Sequence, residues 1–231
     1  MKPQDSLFDR AIDSLAFRFQ RLAEHAQRAR LRHQLQRLGL GQAFTIHTWT
    51  RPEELEALYQ LAAHCKRGAR IVELGSYLGA STCFLAAGAS NVQGTVTAID
   101  LWNNETIAGG HRDTFAEFQR NTAGAAHLVR TLRKRTQDLT AEDIGGPIDL
   151  AFIDADHSYE ATRSDAAFVA PQLARDGIIA FHDATTFAGV GRAVAELLQG
   201  GEWCLGGQAA SMIWIRRANW KSWPPEPVNA S

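Results

Sequence analysis

From Pro52 onward, short apolar runs alternate with helical patterns, and this alternation limits the possible folds more than any other feature of the chain. Arg70–Leu74, Thr95–Ile99, Leu128–Leu132, Ile148–Ile153 and Gly177–Phe181 read as strands. Ala80–Ala89, Arg112–Thr122, Tyr159–Leu173 and Val190–Leu198 read as the helices between them. A further helix, Pro52–Ala63, precedes the first strand, with Thr50 as its expected N-cap. The strand runs are nearly continuous in apolar character, as strands covered on both faces are. Such alternation builds a parallel sheet with right-handed crossovers. The last two runs, Trp203–Leu205 and Met212–Ile215, are separated by Gly206-Gly207 with no helix between, which predicts an antiparallel hairpin at the sheet edge.

Residues 1–41 stand apart from this pattern as a helical arm, ahead of a domain over 42–217 and a proline-containing tail over 218–231. Phe8, Ile12, Leu15, Phe19, Leu22, Ala26 and Ala29 recur at alternating spacings of four and three, and Gly39 and Gly41 stop the helix. Such a seam either packs on its own domain or pairs with a second copy as a homodimer. Residues 1–40 carry eight basic and four acidic side chains, a net of +4, against sixteen and twenty-one in the rest, a net of −5. The whole chain is at −1, and its arginine cluster lacks interleaved aromatics, so no nucleic-acid partner is expected. No apolar run approaches a membrane span, and no signal-peptide pattern opens the chain. Three widely spaced cysteines give neither a disulfide framework nor a zinc ribbon, so a cytoplasmic setting is expected.

Four stretches at strand ends carry the chemistry. The first runs Val72-Glu73-Leu74-Gly75-Ser76-Tyr77-Leu78-Gly79-Ala80-Ser81-Thr82. It is a glycine turn between strand and helix, without GxGxxG and without the lysine of a phosphate loop. Asp100 ends the second strand, where an acid can accept hydrogen bonds from ribose hydroxyls. Ile153-Asp154-Ala155-Asp156-His157-Ser158-Tyr159 ends the fourth strand, and Phe181-His182-Asp183 the fifth. If those strands are neighbours, Asp154, Asp156, His157, His182 and Asp183 converge, and acids so close need a cation or a proton. Any one of them alone reads equally well as a helix cap, Asp156 or Ser158 above all.

Together these stretches resemble the class I S-adenosylmethionine-dependent methyltransferases. More narrowly, Glu73 to Thr82 and Phe152 to Tyr159 are similar to the paired motifs of a bacterial O-methyltransferase group, with Ala155 in a glycine place. The resemblance covers about residues 50–217 and includes His182-Asp183 and Phe187 to Val190. It implies an α/β, Rossmann-like, seven-stranded sheet in the order 3-2-1-4-5-7-6, with strand 7 antiparallel and helices on both faces. It implies cofactor contacts from Glu73, Gly75, Tyr77, Ser81, Asp100 and Asp154, and adenine held between Leu101-Trp102 and Thr136-Gln137. Metal-dependent relatives imply a divalent ion, Mg²⁺ or Mn²⁺, on Asp154 and Asp183, with His182 in the place of a further ligand. The reaction so implied is methyl transfer to a hydroxyl oxygen of a small molecule. His157 is the first choice of general base and Asp156 the second, either as base or as partner of the imidazole. Trp102–Arg112 is a candidate lid. Trp102, Phe187 and Trp214 are candidates for an acceptor pocket, and equally for the core. The rival readings are a metal-independent methyltransferase, a nicotinamide oxidoreductase and a non-catalytic nucleotide-binding scaffold.

Overall fold

A computed structural model describes residues 7–103 and 112–218; in the first helix it describes the side chains of Arg18, 21–23 and 25–37. Helix α1 (Leu7–Arg37) precedes α2 (Pro52–Ala63), β1 (Arg70–Leu74), α3 (Ala80–Asn91), β2 (Thr95–Asp100), α4 (Phe115–Thr122) and β3 (Val129–Arg133). Then follow α5 (Ala141–Ile144), β4 (Ile148–Ile153), α6 (Tyr159–Val169), β5 (Leu173–Phe181), α7 (Ala188–Gln199), β6 (Trp203–Ala209) and β7 (Met212–Arg217). The seven strands lie in the order β3-β2-β1-β4-β5-β7-β6, with β7 antiparallel to both its neighbours. This is the Rossmann-like order implied by the resemblance. The candidate lid lies, apart from Trp102, Asn103 and Arg112, outside the described residues, as does the tail beyond Ala218.

Successive strand residues serve opposite layers. Leu150 and Phe152 of β4 pack with α2 and α3, while Ala151 and Ile153 face α6 and α7. All six residues of β4 are buried, which is why its sequence reads as an apolar run. The one acid within it, Asp149, accepts from the Arg70 backbone N–H at 2.9 Å and pairs with Lys66 at 2.9 Å. Helix α3 is apolar on nearly every side and is buried from Ala80 to Ala89, as a helix enclosed by its neighbours should be.

Local details depart from the sequence pattern in several places, among them α6, which stops at Val169 so that Leu173 opens β5. The N-cap of α2 is Arg51, not Thr50: Pro52 takes the first helical position, and Glu54 Oε2 accepts from the Arg51 N–H at 2.7 Å. Helix α4 starts at Phe115, not Arg112. The hairpin does not turn at Gly206-Gly207, which lie inside β6 at a bulge; the chain turns instead at Ala210-Ser211. A Cβ on Gly206 would come within 2.6 Å of the Trp214 ring, so the glycines make room for the indole. Helix α5 was not expected, because four residues are too few for a period; only Thr140 at its start and left-handed Gly145 at its end mark it.

The arm divides near Leu31. Leu31, Leu35 and Leu40 are fully buried in the core shared with α2 and α3. Upstream, Ala26 and Ala29 are exposed, and Leu22 is 65% exposed. The other members of the seam, Phe8, Ile12, Leu15 and Phe19, lie outside the described side chains.

Candidate active site

Parallel register sets one row of residues at one level. Leu74 is level with Ile99 on one side and Ile153 on the other, and Ile153 is level with Phe181. The next residue in each strand is therefore Gly75, Asp100, Asp154 and His182. Backbone bonds continue across this row: Gly75 N to Ile99 O at 2.9 Å, Asp154 N to Leu74 O at 2.8 Å, and His182 N to Ile153 O at 3.0 Å. Strand order reverses between β1 and β4, where open α/β sheets bind ligands at the carboxyl ends.

A cavity of about 430 Å³ opens over this row. It is lined by Gly75, Tyr77, Ser81, Asp100, Leu101, Thr136, Gln137, Asp154, Asp156, His157, His182 and Asp183, all singled out from the sequence. Gly75 has φ +88°, and a Cβ there would lie 2.0 Å from the Asp154 carbonyl oxygen, so only glycine lets these loops meet. Asp100 organises the near wall. Its Oδ2 accepts from the Ser76 and Tyr77 N–H groups at 2.9 and 2.8 Å, and its Oδ1 from Trp102 N–H at 2.6 Å. Tyr77 and Trp102 both hold left-handed backbone, at φ 43° and 52°, and Asp100 fixes both. Those three bonds use three of about four carboxylate acceptor sites. Thr114 Oγ1 also lines the cavity, buried and without a partner among the described residues.

Two residues expected at the cofactor lie behind the wall. Glu73 is fully buried beneath the loop, where Oε2 accepts from the Ser76 hydroxyl at 2.8 Å and from the Thr82 hydroxyl. Burial pushes its carboxyl up to about 7, against the lowering effect of the Ser81, Thr82 and Ser76 hydroxyls. Trp102 points into the core and packs on Phe115 and Phe118 at 4.8 Å each. Trp214 is also absent from the cavity lining, held against Gly206 and Gly207. Of the candidate acceptor aromatics only Phe187 lines the cavity; its ring stacks on His157 at 4.4 Å. The segment His47 to Thr50 forms a wall that sequence reading missed. Trp49 lies 5.1 Å from the Tyr77 ring and is 54% exposed. It precedes a helix in a stretch without periodicity, and a tryptophan beside a helix start is its only signal.

The acids and imidazoles form a chain. His182 Nδ1 lies 2.9 Å from Asp154 Oδ1, and His182 Nε2 lies 3.1 Å from Glu54 Oε2. His157 Nε2 lies 3.3 Å from the same Asp154 oxygen. Asp154, His157 and His182 each offer one ligand atom, all within 4.8 Å of one another. Asp183 Oδ2 stands just outside, 3.5 Å from His182 Nδ1 and 3.7 Å from His157 Nε2. Asp156 does not reach the imidazoles: its Oδ1 accepts from the Ser158 N–H at 2.7 Å, and Ser158 Oγ caps α6 by accepting from Ala161 N–H. The His157 ring is thus held by Asp154 and Phe187, not by Asp156. Burial alone would lower His182, yet carboxylates on both ring nitrogens carry it up to about 10. Burial would likewise raise Asp154, but hydrogen bonds from His157 and His182 bring it below the usual carboxylate range. The hydrogen bond to Asp154 raises His157.

Glu54 is the member of this chain that sequence reading missed. It is completely buried, and burial would raise its carboxyl, but His182, Ser211 and the Arg51 N–H hold it down at about 2. Its Oε1 accepts from the Ser211 N–H at 2.8 Å, the Ser211 hydroxyl at 2.6 Å and the Met212 N–H at 3.1 Å. The only trace in the sequence is its place three residues into a helix, where an acid usually bonds the helix start.

Residues 72–184 match the family described as "Methyltransferase domain". Among solved structures, the SAH-bound Podospora anserina methyltransferase PaMTH1 is 14% identical, with a TM-score of 0.59 over 86% of this chain and 94% of that one. The O-methyltransferase NovP is 16% identical, with a TM-score of 0.56 over 74% and 82%. A Streptococcus thermophilus rRNA methylase is 14% identical, with a TM-score of 0.54 over 74% and 99%. At such identities the likeness is one of fold. No curated protein matches the chain.

Proposed function

Residues 72–184 match the methyltransferase-domain family, and we propose that the chain is an S-adenosylmethionine-dependent methyltransferase that methylates a hydroxyl oxygen of a small molecule with a divalent ion at the acceptor. The observation that carries this reading is that Asp154 stands level with the Gly75 loop at the strand ends and holds His157 beside it at 3.3 Å. The cavity fits the cofactor: glycine allows close backbone approach at position 75, Asp100 keeps an acceptor site for ribose, and Thr114 Oγ1 is buried with no partner among the described residues. Thr136, Gln137, Leu101 and Asn103 all line the cavity, and adenine would lie among them.

Methyl transfer to oxygen is an in-line displacement. The carbon–sulfur bond breaks as the carbon–oxygen bond forms, and most of the enzyme's task is alignment. A hydroxyl must also lose its proton. His157 suits that task, because 32% of its side chain is exposed to the cavity, against 3% for His182. Asp154 orients the ring and Phe187 covers it. Asp156 is the second candidate base, at the cavity wall with one oxygen already committed.

The residues also fit an ion. Asp154 and His182, with Asp183, would hold it, and it would lower the pKa of an acceptor hydroxyl. A set that mixes carboxylate and imidazole suits Mn²⁺, Fe²⁺ or Zn²⁺ better than Mg²⁺. The convergence of His157 on the same point supports a second assignment, with His157 as a ligand in place of Asp183. The exposed Trp49 and the 45% exposed Phe187 at the cavity supply flat apolar faces for the acceptor.

Calorimetric titration with S-adenosylhomocysteine, in EDTA and then in Mn²⁺, tests the reading. Saturable micromolar binding is expected, and a separate Mn²⁺ titration should give heat that Asp154→Ala abolishes. His157→Gln separates the two assignments. A base alone would leave Mn²⁺ affinity unchanged and cost about 10²–10⁴-fold in rate, with loss of a limb lying above the ordinary imidazole pKa. A ligand would cost Mn²⁺ affinity. Absence of nucleoside binding under every condition would overturn the reading.

A further inference from the structure

Glu54 lies outside the segment that matches the methyltransferase family, on a helix that precedes the first strand. Nevertheless it touches the site. Its Oε2 meets His182 Nε2 at 3.1 Å, and its Oε1 is saturated by two backbone N–H groups and one hydroxyl from the β6–β7 turn. That saturation leaves the carboxylate no rotational freedom. Each Oε1 donor fixes the plane of the group, and the plane fixes where Oε2 points. A fully buried acid bonded this way is acceptor-only. Hence the ring nitrogen facing it must carry the hydrogen.

We propose that Glu54 is a positioning residue for the ion site: by accepting the His182 Nε2–H it makes Nδ1, which faces Asp154, the nitrogen that gives up its proton and presents a lone pair when an ion binds where Asp154 and His157 converge. The assignment rests on the metal reading above. The physical basis is the two-faced nature of imidazole. A neutral ring has one N–H and one lone pair, and the partner of the first decides the direction of the second. Ring-orienting carboxylates of this kind typically change metal affinity by about 10–100-fold. Ser211 belongs to the same device. Its hydroxyl lies 2.6 Å from Glu54 Oε1 and 3.1 Å from Asp183 Oδ1, and its single hydrogen, given to the nearer Glu54, helps fix the carboxylate that orients His182.

Glu54→Gln is the discriminating change, because it keeps the shape and inverts the bond to His182, while giving up the Arg51 N–H bond that Oε2 also accepts. The Oε1 position can remain an acceptor for Ser211 and Met212, which places the amide NH₂ against His182 Nε2. The ring must then carry its hydrogen on Nδ1, facing Asp154, and its lone pair points away from the site. Mn²⁺ affinity, read from the free-ion electron paramagnetic signal, should fall about 10–100-fold in Glu54→Gln. S-adenosylhomocysteine affinity should stay within twofold, which a general loss of structure would not allow. Ser211→Ala, which keeps the Oε2 contact, should lose less than Glu54→Gln. Nitrogen-15 spectra of the wild-type protein with Zn²⁺ give a second test that needs no variant: His182 should be protonated at Nε2 and metal-shifted at Nδ1. Equal Mn²⁺ affinity in wild type and Glu54→Gln, or a His182 protonated at Nδ1 with Zn²⁺ bound, overturns the assignment alone. Failure of the wild type to take up Mn²⁺ or Zn²⁺ overturns the metal reading and this assignment with it.

Discussion

Glu73 shows how one side chain can be dictated by a motif and still act differently from its place in that motif. It follows Val72 in the strand that delivers the glycine loop, yet its carboxyl lies under the loop and touches hydroxyls, not the cavity. Burial raises it from an ordinary 4.5 to about 7. Between those values the folded protein keeps a proton that the unfolded chain releases. Stability should therefore fall as pH rises from about 4.5 to 7 and level off above that, by about 3 kcal/mol for this group. Glu73→Gln cannot ionise and should lose that dependence, so the wild-type and variant melting temperatures should converge or diverge with pH across this window. Parallel curves would show that the group ionises normally. Asp100, by contrast, sits where the strand-end pattern puts it, and its three backbone bonds explain why an acid is needed there even before a ribose arrives.

Between elements, the contact of α2 with α3 sets the position of everything that α2 carries, Glu54 included. Gly88 is the point of closest approach. A Cβ there would lie 2.5 Å from the Tyr59 carbonyl oxygen and 2.6 Å from the Ala62 Cβ. Two effects compete when Gly88 becomes alanine. Helix propensity favours alanine by about 1 kcal/mol. Overpacking against backbone costs about 1–3 kcal/mol and has no flexible side chain to absorb it. The steric cost should prevail, so Gly88→Ala should lower unfolding free energy in denaturant titrations; a gain would show that α2 can shift outward. The same variant should weaken Mn²⁺ binding if α2 moves, because Glu54 moves with it. The strands and long helices were legible in the sequence because burial on two faces or one leaves a period. Helix α5 and the true hairpin turn were not, since four residues leave no period and Gly206-Gly207 serves the Trp214 ring instead of the turn.

At the scale of the molecule, a basic arm leads into an acidic domain, and the arm is only half arm. Its last turns belong to the core through Leu31 and Leu35, while Leu22, Ala26 and Ala29 face solvent at the spacing of a helical seam. If that exposed seam pairs with a second copy, deletion of residues 1–26, which spares the core, converts a dimer into monomers in sedimentation, with S-adenosylhomocysteine binding unchanged. A dimer that survives the deletion would place the contact elsewhere. Among the described residues no helix is long and apolar enough to cross a membrane. The sequence by itself determined the element order, the parallel sheet and the chemistry at the strand ends, because those follow from local periodicity and from the rule that parallel strands end on one side. Tertiary structure alone decided which acids meet which imidazoles. Glu54 is separated from His182 by 128 residues and from Ser211 by 157, and nothing local to any of the three records the contact. The fold brings them together because α2 meets the end of the sheet where β5 ends and β7 begins, and hydrogen bonds that form only on that closure leave no period in the chain.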